Sequence, residues 1–343
     1  MYGRKNKEKV EIIQYRNVKK YTAGKITIYR IPVESFPSHV TNVYLIINSR
    51  PFLVDTGLEN EKARQDLDEG FQIIQSVFQE NVRLEDVEDV VITHGHIDHF
   101  GMIGNEKFKR KNLYIHKEDS EIIRNYDERT DYALARVDSF LKTAGVSALF
   151  REGIINLYRS DKKKFKPKNL GHHIIDLRDN DKIIDGYRVY HTPGHCPGAI
   201  CLEVGDFIFT GDHLLSRITP HQSPGFIMRG TGLRLYLNSL NRIFWLSLQK
   251  DLYGLPGHEE DIYPVADRVD EIKRFHEQRL RDIEKIYKEG KSIFEITVEY
   301  FNSFQPEIFS QPNYPDYNKL LAILEIAAHV EYLEEEGRLR VKP

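Results

Sequence analysis

The sequence is short of several things, and each shortage removes a class of protein. It holds 2 cysteines, Cys196 and Cys201, in 343 residues. Two thiols cannot form the disulfide framework of a small secreted domain, and a reducing, cytoplasmic setting is expected. No run of about 18 uncharged apolar residues exists, so no transmembrane helix is expected and no membrane partner. The basic N-terminus lacks an apolar core and a small-residue cleavage site, so it does not read as a secretory leader. Neither sign of charge dominates: 49 basic residues face 52 acidic ones, for a net charge of -3. No global charge excess therefore announces a nucleic-acid partner. Internal repeats and low-complexity segments are also absent. Histidine, by contrast, is present 14 times and falls in short clusters.

Strands and helices alternate along most of the chain. Ile26 to Val33, Asn42 to Asn48 and Pro51 to Val54 read as strands, and residues 60 to 80 as an amphipathic helix. Asp89 to Thr93 is a short apolar run of the buried-strand kind. Leu113 to His116 follows it. From about 117 to 169 the pattern turns helical and charged, ending in the basic stretch DKKKFKPK (161–168). Strands return at Tyr187 to His191, Ala199 to Val204 and Phe207 to Thr210, with Gly205-Asp206 as a two-residue hairpin turn. Helices are predicted over Leu235 to Leu248, Ala266 to Glu289 and Asp316 to Glu336, the last capped by Gly337. A short strand and loop, 251–258, precedes the second of these. Such alternation with a helical tail predicts an α/β protein.

The chemistry sits in loops after strands. His94, His96, Asp98 and His99 place four possible ligands in six residues, directly after Asp89 to Thr93. Alternate residues of an extended segment point the same way, so His94, His96 and Asp98 are expected to converge. Imidazole and carboxylate together suit borderline metals such as zinc. Three more candidates stand at later strand ends: His195 in TPGH, Asp212 in TGDH and His258 in PGH. A glycine precedes each of the three and permits a sharp turn that points a side chain into a cleft. The seven divide into His94, His96 and His195 for one ion and Asp98, His99 and His258 for a second. Asp212 could bridge both through its two oxygens.

THGHIDHFG, followed in order by TPGH, TGDH and PGH, resembles the metallo-β-lactamase superfamily, most closely its glyoxalase II-like two-zinc hydrolases. The resemblance covers roughly residues 21–265. It implies an αββα sandwich with the site at one edge of its two sheets and 117–169 as a helical insertion. It also implies that Asp55, in LVDTG, supports the metal loop without binding metal. A linking helix (266–290) and a C-terminal domain (291–343) resemble the subgroup with a small, winged-helix-like helical domain. The implied cofactor is two zinc ions, with iron or manganese as alternatives. The implied activity is attack by a zinc-bridged hydroxide on a thioester, ester or lactone, with Asp98 also orienting the nucleophile. Histidine in place of glutamate at position 96 argues against the di-iron flavoprotein branch. The absence of cysteine at position 212 argues against antibiotic hydrolysis.

Two rivals share these residues. One is a single-strand endoribonuclease with the same two-metal site. The first 20 residues carry seven Lys or Arg against two Glu, and 161–168 carries five Lys against one Asp, so both could steer a phosphate backbone. The other is a persulfide dioxygenase holding one iron with His94, His195 and Asp212. The expected partner is thus a small acyl substrate or single-stranded RNA. DNA is not expected, because Glu325, Glu331 and Glu334 to Glu336 make the last helix acidic. That helix is expected to pack on the core or on a second subunit, which leaves a homodimer open. Arg217 and His221 lie in a loop after a ligand-bearing strand and are candidate substrate contacts. His116 reads as a structural strand-end residue, His172 and His173 as solvated, and Cys196 as a free thiol.

Overall fold

A computed structural model describes residues 10–311 and 315–339. Two sheets face each other, with helices on both outer sides. The first has eight strands in spatial order β1 to β8: Glu11–Tyr15, Val18–Ala23, Ile26–Phe36, His39–Ile47, Phe52–Val54, Asp89–Ile92, Asn112–His116 and His173–Leu177. Neighbours are antiparallel through β5, and β5 to β8 run parallel. The second sheet has the order β13-β12-β11-β10-β9. Its strands are Lys182–Ile183 (β9), Tyr187–His191 (β10), Ile200–Val204 (β11), Phe207–Gly211 (β12) and Tyr253–Pro256 (β13). Only β12 and β13 pair in parallel there. Both sheets are therefore mixed.

Side-chain alternation builds the layers. Tyr21, Ile28, Tyr44, Phe52 and Val91 of the first sheet meet Val189, Leu202, Phe207 and Phe209 of the second between the sheets. The opposite face of the first sheet, with Ile31, Leu45 and Val90, is covered by Leu67, Phe71 and Ile74 of α1 (Glu61–Ser76). Asn60 caps α1, its side chain accepting from the Ala63 amide at 2.8 Å. The outer face of the second sheet is covered by α6 (Leu233–Gln249) and α7 (Val265–Ile286).

The helical stretch after β7 forms α3 (Lys117–Arg124), α4 (Tyr126–Thr143) and α5 (Ala148–Phe165). The C-terminal residues form α8 (Ile293–Phe304), α9 (Glu307–Ser310) and α10 (Asp316–Glu335). Among the described residues this region holds helices and no strand pair that would serve as a wing. Nor does it stand apart. Ile326, Val330 and Leu333 of α10 share a core with α6 and α7, while Leu320, Ile323, Leu324 and Ala327 share another with α4 and α5. Burial of α10 on both sides explains its lack of an amphipathic stripe.

The acidity of α10 is absorbed within the chain. Glu335 and Glu336 pair with Arg234 at 2.6 Å each, and Asp316 with Lys319 at 3.2 Å. Several basic residues are engaged too. Lys162 pairs with Asp131 at 2.6 Å, Lys166 with Asp127, Arg16 with Glu69 and Lys19 with Glu260. The first nine residues of the basic N-terminus lie outside the described residues.

Most of the predicted strands from Pro51 onward, and the helices at Leu235 and Asp316, fall within two residues of their expected bounds. The hairpin β1–β2 and the strands β8 and β9 were not expected. The residues of β1 are all exposed, so that strand lacks the buried alternation that reveals strands.

Candidate metal centre

The candidate ligands leave the C-terminal ends of β6, β10, β12 and β13 at one edge of the sandwich. Two backbone bonds tie the sheets there: Ile200 N–H donates to Thr93 C=O at 2.9 Å, and Asn42 N–H to Gly257 C=O at 2.7 Å. The His94 loop turns at once into α2 (Ile97–Phe100), with His96 as its N-cap. Convergence thus comes from a turn and a helix, not from strand alternation. Asp98 lies on the helix and faces a different group from His94 and His96, while His99 beside it gathers with both His94 and Asp212.

One group gathers His94, His96 and His195, with Cys196 beside them. His94 Nε2 lies 3.0 Å and His195 Nε2 3.1 Å from His96 Nδ1. A second group gathers Asp98 and His258 with His39, a residue that sequence spacing did not single out. His39 Nε2 is 3.0 Å and His258 Nε2 3.5 Å from Asp98 Oδ2. His99 Nε2 lies 3.2 Å from His258 Nε2. Asp212 stands between the groups. Its Oδ2 is 3.9 Å from His94 and 3.7 Å from His195; its Oδ1 is 3.4 Å from both His99 and His258.

The partners of the far ring nitrogens fix how the imidazoles present themselves. His195 Nδ1 donates to the His221 carbonyl at 2.7 Å, and His258 Nδ1 to the Val40 carbonyl at 2.7 Å. Thr93 Oγ donates to Asp55 at 2.8 Å, so it accepts from His94 Nδ1 at 3.1 Å. His94 and His195 therefore turn a bare Nε2 inward, while His258 turns its Nε2 toward Asp98 and Asp212. Both bare nitrogens face His96 Nδ1, whose single hydrogen can satisfy only one of them well, so a cation among the three rings accounts for the arrangement. Asp212 Oδ1 supports the same conclusion: it is buried and forms no hydrogen bond. Gly257 leaves the space, because a Cβ there would lie 2.8 Å from Asp212 Oδ1 and 2.7 Å from His99 Cε1. Imidazole nitrogens with carboxylate oxygens fit zinc and similar divalent ions.

Electrostatics divides the groups. Burial pushes His94 and His195 below the ordinary histidine range. Burial, then the neighbouring His195, pushes His96 down to about 3. Burial also opposes charge on His99 and His258, but Asp212 outweighs it and raises both. Burial works against ionised Asp212 as well, yet His258 and His99 hold it well below the usual carboxylate range. Burial thus favours the neutral form in the three-histidine group, while the carboxylate draws His99 and His258 toward the charged form.

Residues behind the ligands join the two ends of the site. Asp55 Oδ1 accepts the Thr93 amide at 2.8 Å, and its Oδ2 faces His99 Nδ1. Buried Asp119 at the start of α3 accepts the amides of Gly95 at 2.7 Å and Gly198 at 2.8 Å, clamping the His94 and His195 loops together. Sequence reading missed Asp119, which carries no motif. Phe165, ending α5, packs edge-on against Phe36, whose ring is 6.0 Å from that of His39. The Tyr317 phenol is raised by desolvation and then by Asp98 and Asp161, so the first turn of α10 lies within electrostatic reach of the site.

Both ring nitrogens of His221 have partners: Nδ1 is 3.3 Å from Glu325 and Nε2 3.1 Å from Ser223. Arg217 is exposed, and its amide donates to Glu259 at 2.7 Å. His172, expected in solvent, is half-buried, with Nε2 3.0 Å from the Ile103 carbonyl. His116 is buried and stacks on His191 at 3.8 Å. Cys196 is buried, and burial raises its thiol well above the usual range.

Residues 38–249 match the Metallo-beta-lactamase superfamily, and the chain belongs to it. It is 28% identical over 327 residues to "Probable metallo-hydrolase YqjP" of Bacillus subtilis (strain 168), covering 92% of this chain and 94% of that protein. Among solved structures it is similar to the metallo-beta-lactamase family protein TTHA1429 from Thermus thermophilus. That match has a TM-score of 0.70 and 23% identity, covering 90% of this chain and 94% of that one. A beta-lactamase domain protein from Burkholderia ambifaria also matches with a TM-score of 0.70, at 22% identity over 93% of this chain and 89% of that one. At such identity the structures establish a shared fold, C-terminal helices included. No described helix is long and apolar enough to cross a membrane.

Proposed function

We propose that this chain is a metal-dependent hydrolase with two ions, one held by His94, His96 and His195 and one by Asp98, His99 and His258, bridged by Asp212. The observation that carries the reading is the setting of Asp212, whose two oxygens face the two histidine groups and whose Oδ1 is buried without a hydrogen bond. The hydrolase name of the B. subtilis relative, which matches over nearly the whole chain, supports it. Bound zinc would supply an acidified water and Lewis acidity toward an acyl oxygen.

The chain's own residues do the rest. Burial favours the neutral forms of His94, His96 and His195, which keeps lone pairs available for a metal. Asp98 stays charged despite burial, because His99 and the His39 hydrogen bond hold it low. It can therefore orient a nucleophile while the exposed His39 donates to it from Nε2 at 3.0 Å. The substrate class we favour is an acyl ester, thioester or lactone of the glyoxalase II-like kind. Engagement of Arg16, Lys19, Lys162 and Lys166 by acidic neighbours leaves them poorly placed to steer a phosphate backbone.

The test is hydrolysis of a thioester, ester and lactone panel by zinc-loaded protein, with a labelled single-stranded RNA beside it. Chelated protein and Asp212→Ala serve as controls. Acyl turnover lost in both controls is expected. RNA cleavage with the same dependence, and no acyl turnover, would replace this reading with the endoribonuclease. One iron per chain after metal-supplemented growth would favour the persulfide dioxygenase.

A further inference from the structure

We infer that Glu325, on α10 and beyond the region that matches the family, is a positioning residue for the His94, His96 and His195 group and acts through the loop at His221 and Gln222. The inference rests on the reading that this group holds an ion.

The path is short. Buried Glu325 turns Oε2 to the Gln222 amide, which donates to it at 2.7 Å. The next carbonyl back, that of His221, accepts His195 Nδ1–H at 2.7 Å. The peptide linking His221 to Gln222 is thus held on one side by Glu325 and holds His195 on the other. A carbonyl can only accept, so it fixes the proton on His195 Nδ1 and leaves Nε2 bare toward the site. The loop has no strand partner to do this instead: it runs between Pro220 and Pro224, and Gln222 is fully buried. Glu331, six residues further along α10, anchors the continuation by accepting the Gly225 amide at 2.8 Å and the Phe226 amide at 3.1 Å.

Arg279 of α7 keeps the anchor charged. Burial opposes ionisation of Glu325, but Arg279 and then His221 hold the carboxyl below the ordinary range. His276 and His329 lie close by and, with Glu325, could resemble a third metal group. Both nitrogens of His329 are already engaged. His329 Nδ1 donates to the Glu325 carbonyl at 2.7 Å, and its Nε2 faces His276 Nδ1 at 3.0 Å. The guanidinium of Arg279 occupies the one carboxylate of this set, so the cluster is scaffold.

The other ion's histidines do not depend on this loop. His258 is held by the Val40 carbonyl and His99 by Asp55. A defect at Glu325 should therefore weaken one ion and spare the other. Two variants separate reach from charge. Glu325→Asp keeps the charge beside Arg279 but draws the oxygen back from the Gln222 amide. Glu325→Gln loses the charge but keeps an acceptor at full length.

Zinc affinity of each variant would be measured by chelator competition, with the cobalt(II) absorption spectrum as a second readout and thermal melting to follow the fold. Expected is two ions in the wild type. In Glu325→Asp one ion should bind about tenfold more weakly, at the low end of what partners behind a metal ligand contribute. Its cobalt spectrum should change, and the second ion should be unaffected. Glu325→Gln should recover most of that affinity even if it melts earlier. The opposite order of the two variants, or equal loss of both ions, overturns the inference while leaving the metal centre standing. A wild-type protein that binds no ion overturns the proposed function and this inference with it.

Discussion

Asp55 Oδ2 lies 2.8 Å from Nδ1 of His99. The same carboxylate takes both the amide and the hydroxyl hydrogen of Thr93, at 2.8 Å each. One side chain therefore orients His99 directly and His94 through Thr93. Asp55 adopts φ 60°, a left-handed backbone that costs a non-glycine residue energy and persists where surroundings enforce it. Its expected effect follows from what it holds. Asp55→Ala should weaken metal binding by about 10- to 100-fold, as loss of partners behind ligands commonly does. Chelator competition checks this, and wild-type affinity in the variant would remove Asp55 from the site.

Asp212 should be less forgiving. It is the one carboxylate with an oxygen toward each histidine group. Asp212→Ala is expected to lower the content of both ions and to reduce hydrolysis by at least about a hundredfold, because residues acting as a unit fail together. The fold should survive, since Asp212 bears none of the apolar contacts between the sheets. Elemental analysis and turnover on the same sample decide it. Full activity would sink the two-ion reading.

Much of this was legible because the ligand loops obey local rules. His94 follows a buried parallel strand, and Gly194, Gly211 and Gly257 each open a turn at a strand end, so ligand candidates could be found in the sequence. Their grouping was less legible. Alternation suggested that Asp98 points with His94, but α2 begins at Ile97 and rotates Asp98 toward His39 and His258. No sequence rule connects His39, 59 positions upstream of its partner Asp98, to that cluster. Asp119 and Glu325 were hidden for a similar reason. Each acts on backbone amides of remote loops, and an amide has no sequence signature. The acidic character of α10 was visible, but its purpose was not, because Glu325 and Glu331 serve loops about 100 residues earlier.

Cys196 offers a clear negative expectation. Its Sγ is 3.3 Å from His96 Nε2, an arrangement that could be taken for a nucleophile and its base. Yet the thiol is buried, burial raises it well above its usual range, and His96 is pushed too low to draw off its proton. Cys196→Ser should keep hydrolysis within about threefold of wild type, and wild-type turnover should resist thiol reagents, since the reactive thiolate is disfavoured there. Loss of turnover with full metal content would instead place the sulfur in the chemistry.

Asp119 gives the pH test. Burial, only partly offset by the Gly95 and Gly198 amides, raises its carboxyl from the ordinary value to about 6. Raised in the folded state, the group contributes stability that is fully present below its unfolded value, near 3.8, and lost as pH rises through about 6. Above that, the charged carboxylate must be carried in the interior by two amides. Asp119→Asn stays neutral throughout, and its single amide oxygen can satisfy only one of the two donors well. The variant should therefore be less stable than wild type at pH 4.5, with the gap narrowing toward pH 7. Melting temperatures of both proteins, stripped of metal and taken across that range, would show the trend. A gap independent of pH would mean that Asp119 is ionised across the whole range. Gly198→Ala probes the same clamp from the other side: its Cβ would stand 2.7 Å from Asp119 Cγ and should force the two ligand loops apart.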